Sequence, residues 1–397
     1  MLALCCAVGH SASAKRQAEA HTCFTIDKID NILDKAARQM IFQANLLKDK
    51  EAMLPKSLDG KGQLKTCKFS DWTSGFFPGT LWMLSEYFPN NTELRTFAEL
   101  YTKRVEGARN VTNNHDVGFM LNCSYGQAYR ITGDKAWLDP IRDGAKHLSE
   151  RFMPAAGVTL SWQPNKKWKA PVIIDNMMNL EILEEVGKRD NIQHYIDIAN
   201  THAHTTMKNH YRQNLSTWHV IDYDPQTGEI LHRNTAQGYS DDSDWARGQM
   251  WGLYGYTMMY RETKKKEYLR HAHNVAEYLT SRSNWPEDNI PYWDFDCPDI
   301  PNTARDASSA AIMASALLEL STYDKKSAAK RWRAFSEKLL SSLSQPSYTA
   351  EYGSNGGYIL MHSTGSLPAK SEVDAPQTYA DYYYVEALIR LKKLLSE

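Results

Sequence analysis

Cysteine is scarce. Six in 397 residues are too few to staple a chain of this size. None are spaced as CxxC, which excludes a zinc ribbon and a thioredoxin-type redox pair. No apolar run of about 18 residues or more occurs, so nothing reads as a bilayer-spanning helix. Neither sign of charge is in excess: 46 Lys plus Arg face 47 Asp plus Glu. Binding to nucleic acid or anionic membrane by bulk charge is therefore not expected. HExxH, GxSxG, P-loop and GxGxxG patterns are all absent. His202/His204 and His271/His273 are i,i+2 pairs on helical patterns, so each pair splits across two faces and makes a poor metal site. Phenylalanine is modest at 11, whereas Trp reaches 11 and Tyr 22. Tyr and Trp join a flat apolar face to a polar handle, which suits stacked sugars and equally suits a large core.

The first residues, MLALCCAVGHSASA, are a short apolar stretch followed by small residues of the kind that precede signal cleavage. A basic start is missing, and Leu4 before Cys5 fits a lipobox poorly. Residues 1–24 are read as a signal remnant or disordered leader, and 25–397 as one domain. Export to a bacterial periplasm or beyond is the expectation.

Helical periodicity dominates the rest. Twelve segments are predicted, at roughly 25–48, 74–88, 92–109, 116–132, 134–152, 174–188, 190–208, 243–262, 264–282, 304–322, 325–344 and 379–396. Strand patterns are confined to loops, at Trp218–Tyr223 and Tyr358–His362. Tight turns follow the even segments and mostly long loops follow the odd ones, so the long loops must emerge at one end. Odd segments are amphipathic. Even segments, such as WARGQMWGLYGYTMMY and ASSAAIMASALLEL, lack a polar face and should be buried. Six buried helices inside six amphipathic ones describe an all-α (α/α)6 barrel.

Each even segment carries an aspartate near its start: Asp71, Asp116, Asp175, Asp244, Asp306 and Asp381. Helix capping is the plain explanation. Topology adds that all six face the looped end, so carboxylates and aromatics converge on one cup. Asp116 lies in NHDVGF and Asp175 in IDNMMNL, where apolar neighbours would raise a carboxyl pKa. Arg247 and Trp251 are i,i+4 on one helix face, reading either as an anion clamp beside a stacking plate or as an Arg packed on a core Trp.

NHDVGF, IDNMMNLE, WHVIDYD, QGYSDDSDWARGQMWGLYG and YADYYYVEAL together resemble the unsaturated glucuronyl hydrolases, from about Ile26 to Leu395. The resemblance implies the same barrel and a substrate class: oligosaccharides left by polysaccharide lyases, ending in a 4,5-unsaturated uronate. It implies Asp175 as acid/base and Asp116 as its supporting carboxylate, with His115 and Asn176 beside them. Trp72, Trp162, His219, Gln237, Arg247 and Trp251 are implied to line the uronate subsite, Arg247 and Gln237 holding its carboxylate. Some relatives bind sulfate through a Ser-x-x-Ser-x-Lys run. Here Ser363 and Ser366 fit, but Lys370 comes two residues late. No cofactor or metal is required by such chemistry. The alternatives are an unsaturated rhamnogalacturonyl hydrolase acting on pectin fragments and a non-hydrolytic sugar-binding or isomerase barrel. Oligomeric state is not legible.

Overall fold

The computed structural model describes residues 24–397. The leader reading of residues 1–24 thus falls almost wholly outside the described residues.

The outer ring holds α1 (Ile26–Leu47), α3 (Thr92–Arg104), α6 (Leu138–Ser149), α8 (Gln193–Asn209), α10 (Lys266–Thr280) and α12 (Lys326–Leu343). The inner ring holds α2 (Phe76–Tyr87), α4 (Val117–Leu121) continued by α5 (Gln127–Thr132), α7 (Leu180–Asp190), α9 (Ala246–Thr263), α11 (Ala307–Ser321) and α13 (Thr378–Ser396). Every residue of α11 is buried, which fits its stretch of Ala, Ser and Leu without a polar face. Inner neighbours pack in succession, α9 on α11, α11 on α13 and α13 back on α2, so the ring closes as an (α/α)6 barrel. Close approach is enforced locally. A Cβ on Gly75 would stand 2.2 Å from Phe119 O, and one on Gly79 2.2 Å from Cys123 O; only glycine lets these backbones touch. Between α4 and α5 the inner rod passes through a π turn, Asn122–Gly126.

Tight turns occupy one end. Gly133, Asn191 and Lys264 close inner helices in the left-handed region, at φ 67°, 57° and 57°. The long loops at the other end carry small antiparallel sheets: β1 (Leu54–Leu58) with β2 (Leu64–Cys67), β3 (Phe152–Met153) with β4 (Val158–Thr159), and β5 (Pro171–Ile173), β6 (Val220–Tyr223) and β7 (Ile230–Asn234) in that order. The strand expected at Trp218–Tyr223 is β6. The one expected at Tyr358–His362 is a correction: only a single bridge, Thr349 to Leu360, forms there. Around that bridge Ala350 N donates to Ile359 O (2.9 Å) and Met361 N to Tyr348 O (2.9 Å), and Asp381 accepts from Ile359 N (2.9 Å) and Leu360 N (2.8 Å). The other strands escaped sequence reading because each is five residues or fewer, too short for alternation to stand out.

Candidate active site

The β5–β6–β7 sheet builds the centre of the cup. β5 runs directly into a 3-10 turn, Ile174–Asn179, which carries Asp175. β6 begins right after His219, and Ile174 N donates to His219 O (3.1 Å). Strand pairing thus sets Asp175 beside His219, with His219 Nε2 3.7 Å from Asp175 Oδ2. The segment after β7 fixes the imidazole: Ala236 N (3.1 Å) and Gln237 N (3.2 Å) donate to Nδ1. A nitrogen that accepts two N–H groups carries no proton, so the ring hydrogen is on Nε2, aimed toward Asp175. Burial pushes His219 down to about 3, with the charge of Arg247 adding to the effect, and the ring stays neutral.

Asp116 arrives from the neighbouring inner rod. His115 N donates to Ser161 O (3.0 Å), and Asp116 N to Asn114 Oδ1 (2.9 Å). Phe119 N donates to Asn179 Oδ1 (2.8 Å), tying the start of α4 to the Asp175 turn. There a Cβ on Gly118 would sit 2.5 Å from Asn179 Oδ1. His115 Nε2 lies 3.2 Å from Asp116 Oδ1, and burial drives His115 down to about 3. Asn176 donates to Thr159 O (2.7 Å).

The two carboxyls share an electrostatic setting. Burial raises Asp175 to about 7; Arg247 opposes this and Asp116 adds to it. Burial also raises Asp116 to about 7, against hydrogen bonding from Asn114 and Asn179. Asp175 Oδ2, His219 Nε2, Asn176 Oδ1 and Trp251 Nε1 are buried without a hydrogen-bond partner. Such groups are costly unless something else satisfies them.

The six aspartates divide sharply. Only Asp306 is a literal N-cap, accepting from Ser308 N (3.1 Å). Asp71 accepts from Thr73 N and Oγ1 (3.0 and 2.7 Å), Asp244 pairs with Arg282 and Tyr278, and Asp381 holds the 359–360 backbone. Asp116 occupies the cap position of α4 without a capping hydrogen bond. Capping therefore explains one of the six.

The subsite residues read by resemblance are distributed unevenly. Trp72 and Trp162 are partly exposed. Trp251 is fully buried, its ring 5.1 Å from Phe119 and 5.6 Å from Tyr383, so it underlies the site rather than standing free in it. Arg247 spends most of its donors inside the protein: Asp306 Oδ2 (3.1 Å) and the Thr364 and Gly365 carbonyls. Its Nε alone is left without a partner. Gln237 Nε2 also donates to Gly365 O (3.0 Å). Arg247 and Gln237 thus seat the 362–375 loop against the cup. That loop places Ser363 fully buried, its Oγ accepting from Ser308 N (3.1 Å). Ser363 is an anchor for the loop, which corrects its expected place on a sulfate. Ser366 pairs with Ser371 in a bridge, and Lys370 sits at the exposed tip with φ 50°.

Sequence reading missed Tyr379. It lies under Trp72 (4.8 Å) and Arg247 (5.4 Å) with its hydroxyl unpartnered. Its place in the YADYYY run was the only signal. Among the described residues no cluster of His, Cys, Asp or Glu is arranged to hold a metal, and no helix is long and apolar enough to cross a membrane.

Comparison with known proteins bears on the chain as a whole. Residues 32–361 match the family model described as Glycosyl Hydrolase Family 88. An unsaturated glucuronyl hydrolase of Formosa agariphila is 42% identical over 329 residues, covering 82% of this chain and 81% of the relative. A solved unsaturated glucuronyl hydrolase specific for heparin superposes with a TM-score of 0.88 at 44% identity, over 93% of this chain and 99% of that one. A variant of the Streptococcus agalactiae enzyme, complexed with dGlcA-GalNAc6S, gives a TM-score of 0.80 at 27% identity over 98% of both chains.

Proposed function

The chain belongs to Glycosyl Hydrolase Family 88 and is a glycosidase of the unsaturated glucuronyl hydrolase kind; from that premise we propose that it releases the 4,5-unsaturated glucuronate from glycosaminoglycan-derived disaccharides by hydrating the C4=C5 enol ether. The observation that carries this reading is Asp175: a buried carboxyl, pushed up to about 7, with one oxygen unpartnered beside a neutral His219.

An ordinary glycosidase sets two carboxylates across the glycosidic bond. An unsaturated uronate offers a different first step, because its ring contains an enol ether. Asp175 donates a proton to C4, and positive charge develops on C5 and the ring oxygen. Water adds at C5 and returns a proton to the Asp175 carboxylate. The resulting hemiketal opens, the linkage is lost, and Asp175 is again protonated. A carboxyl held near 7 can serve both halves of that cycle. Asp116, in its ionised form, supports the developing cation. The Nε2–H of His219 and the Nε–H of Arg247 are left to orient the substrate carboxylate or hydroxyls, and Trp72 and Trp162 to cover the sugar faces. His115 lies against Asp116, and Asn176 ties the Asp175 turn to Thr159. Ser366 and Lys370 are at the outer edge of this reading. Periplasmic or secreted location belongs to the same proposal, supported by the sequence of residues 1–14 and checked by cell fractionation.

The test follows the loss of the ultraviolet absorbance of the conjugated uronate on unsaturated disaccharides from heparin, chondroitin and pectin. The relative specific for heparin puts heparin disaccharides first in that panel. Turnover of glycosaminoglycan fragments, abolished in Asp175→Asn, is expected. Turnover of pectin fragments alone would transfer the assignment to the rhamnogalacturonyl reading.

A further inference from the structure

Many cations around the cup are neutralised from within, although Arg212 and Arg233 lie on the face of Trp218 and Arg151 donates to the Leu160 and Thr112 carbonyls. Lys56 pairs with Asp71 and Glu372, Lys65 with Glu372, Arg282 with Asp244 and Asp296, Arg305 with Asp288, and Arg247 with Asp306. Lys169 pairs with Asp224 (3.5 Å). Lys167, two residues earlier, differs. It is exposed, yet its ammonium is held by neutral groups: Thr235 O at 3.3 Å and the face of Trp168 at 4.4 Å. Among the described residues no carboxylate lies within ion-pair distance of it. Asp241, nearby in the chain fold, accepts instead from Thr235 N (2.8 Å) and Asn234 Nδ2 (3.3 Å).

The position is built, not trailing. Asn165 Oδ1 accepts from Lys167 N (2.8 Å) and Trp168 N (3.2 Å), and Asn165 N donates to Trp168 O (2.9 Å). That side-chain turn fixes the loop tip. Trp168 Nε1 donates to Asn234 (3.3 Å), and its ring meets Trp162 at 5.3 Å. The tip also borders the centre of the site. Thr235, whose carbonyl takes Lys167, has its hydroxyl 3.4 Å from His219 Nδ1, and His219 faces Asp175.

We propose that Lys167 receives a sulfate ester on the sugar that follows the unsaturated uronate. The inference rests on the hydrolase reading above and deepens it. A carbonyl and an indole face orient an ammonium without cancelling its charge. The charge left over, on the lip beside a wall of two tryptophans, matches an anion carried by the second sugar. It stands apart from the 362–375 loop, where Ser363 is buried while Ser366 and Lys370 are not.

The experiment measures KM for two unsaturated disaccharides identical except for one sulfate, at low and high salt. For the parent enzyme the sulfated substrate is expected to have a KM lower by about tenfold, the size of one charge-assisted hydrogen bond. Rising salt should shrink that ratio. Lys167→Met should collapse the ratio towards one, Lys167→Arg should keep it, and Lys169→Met should leave it as in the parent. A parent enzyme indifferent to sulfate, or a Lys167→Met variant that keeps the preference, overturns the inference while leaving the hydrolase reading intact. Absence of turnover on both substrates overturns that reading and this inference with it.

Discussion

The two mouths of the barrel treat charge in opposite ways. At the tight-turn end, a cavity of about 830 Å³ is lined by charged side chains that are mutually paired. Arg261 donates to both Glu319 oxygens (2.8 and 2.7 Å) and to Glu181, and Arg390 reaches Glu319 (2.8 Å) and Glu386 (3.4 Å). Burial would raise Glu319, but Arg261 and Arg390 outweigh it and hold the carboxyl below its ordinary value. At the looped end, Asp116 and Asp175 are left underpaired and rise to about 7. The tight-turn opening is thus the quieter one. A cavity alone marks where helices diverge, whereas unsatisfied charge marks where a reaction can be driven.

The sharpest way to break this contrast is Asp175→Asn. We expect turnover to fall by about a thousandfold or more, the scale of a lost general acid, as followed by the ultraviolet assay. Its stability should move the other way. A carboxyl raised on folding stabilises below its unfolded value near 3.8 and loses that contribution as pH rises through about 7. The amide escapes this loss, so above neutral pH the variant should melt no lower than the parent. A large fall in melting temperature would mean that Asp175 is structural.

Glu319→Ala addresses the other mouth. It strands Arg261 and Arg390, and a loss of about 3 kcal/mol in denaturant unfolding is expected, with kcat at room temperature within about twofold of the parent. A collapse in kcat with unchanged stability would erase the distinction between the ends. The acid response should also invert. Glu319 is depressed, so its contribution is present above its unfolded value and is lost as pH falls.

Smaller effects test how the rim is held. Asp306 binds Arg247, Ser308, Ser309 and Thr364 N. Asp306→Asn should raise KM by about tenfold and kcat should change less, with faster amide exchange across residues 362–375. Smallest is a shift in a pH profile. The alkaline limb of kcat should lie near pH 7, where Asp175 loses its proton. Because Asp116 raises Asp175, Asp116→Asn should move the limb to lower pH in whatever activity survives. A limb that stays put would uncouple the two carboxyls.

The barrel was legible because burial writes a period into helices long enough to repeat it. ASSAAIMASALLEL has no polar face and is wholly inside; KEYLRHAHNVAEYL has one and lies outside. The site was legible in part. Asp116 and Asp175 stand out by apolar neighbours that are close in sequence. The fixing of His219 depends on Ala236 and Gln237 across a sheet, and the anchoring of Ser363 on Ser308, 55 residues away. Such pairings leave no local trace. Nor does sequence distinguish an arginine offered to a ligand from one spent on Thr364 and Gly365 carbonyls.

The left-handed residues that close the inner helices, Gly133, Asn191 and Lys264, have a consequence for how the molecule can change. Each makes a connection of minimum length, so little can be inserted there without reopening the ring. Lengthening is confined to the opposite face, where a loop can grow, shorten or be exchanged while the helices keep their register. Variation is therefore channelled to the face that carries Asp116 and Asp175. The barrel is a chassis with a single workable front panel, and grafting loops between relatives should alter preference long before it endangers folding.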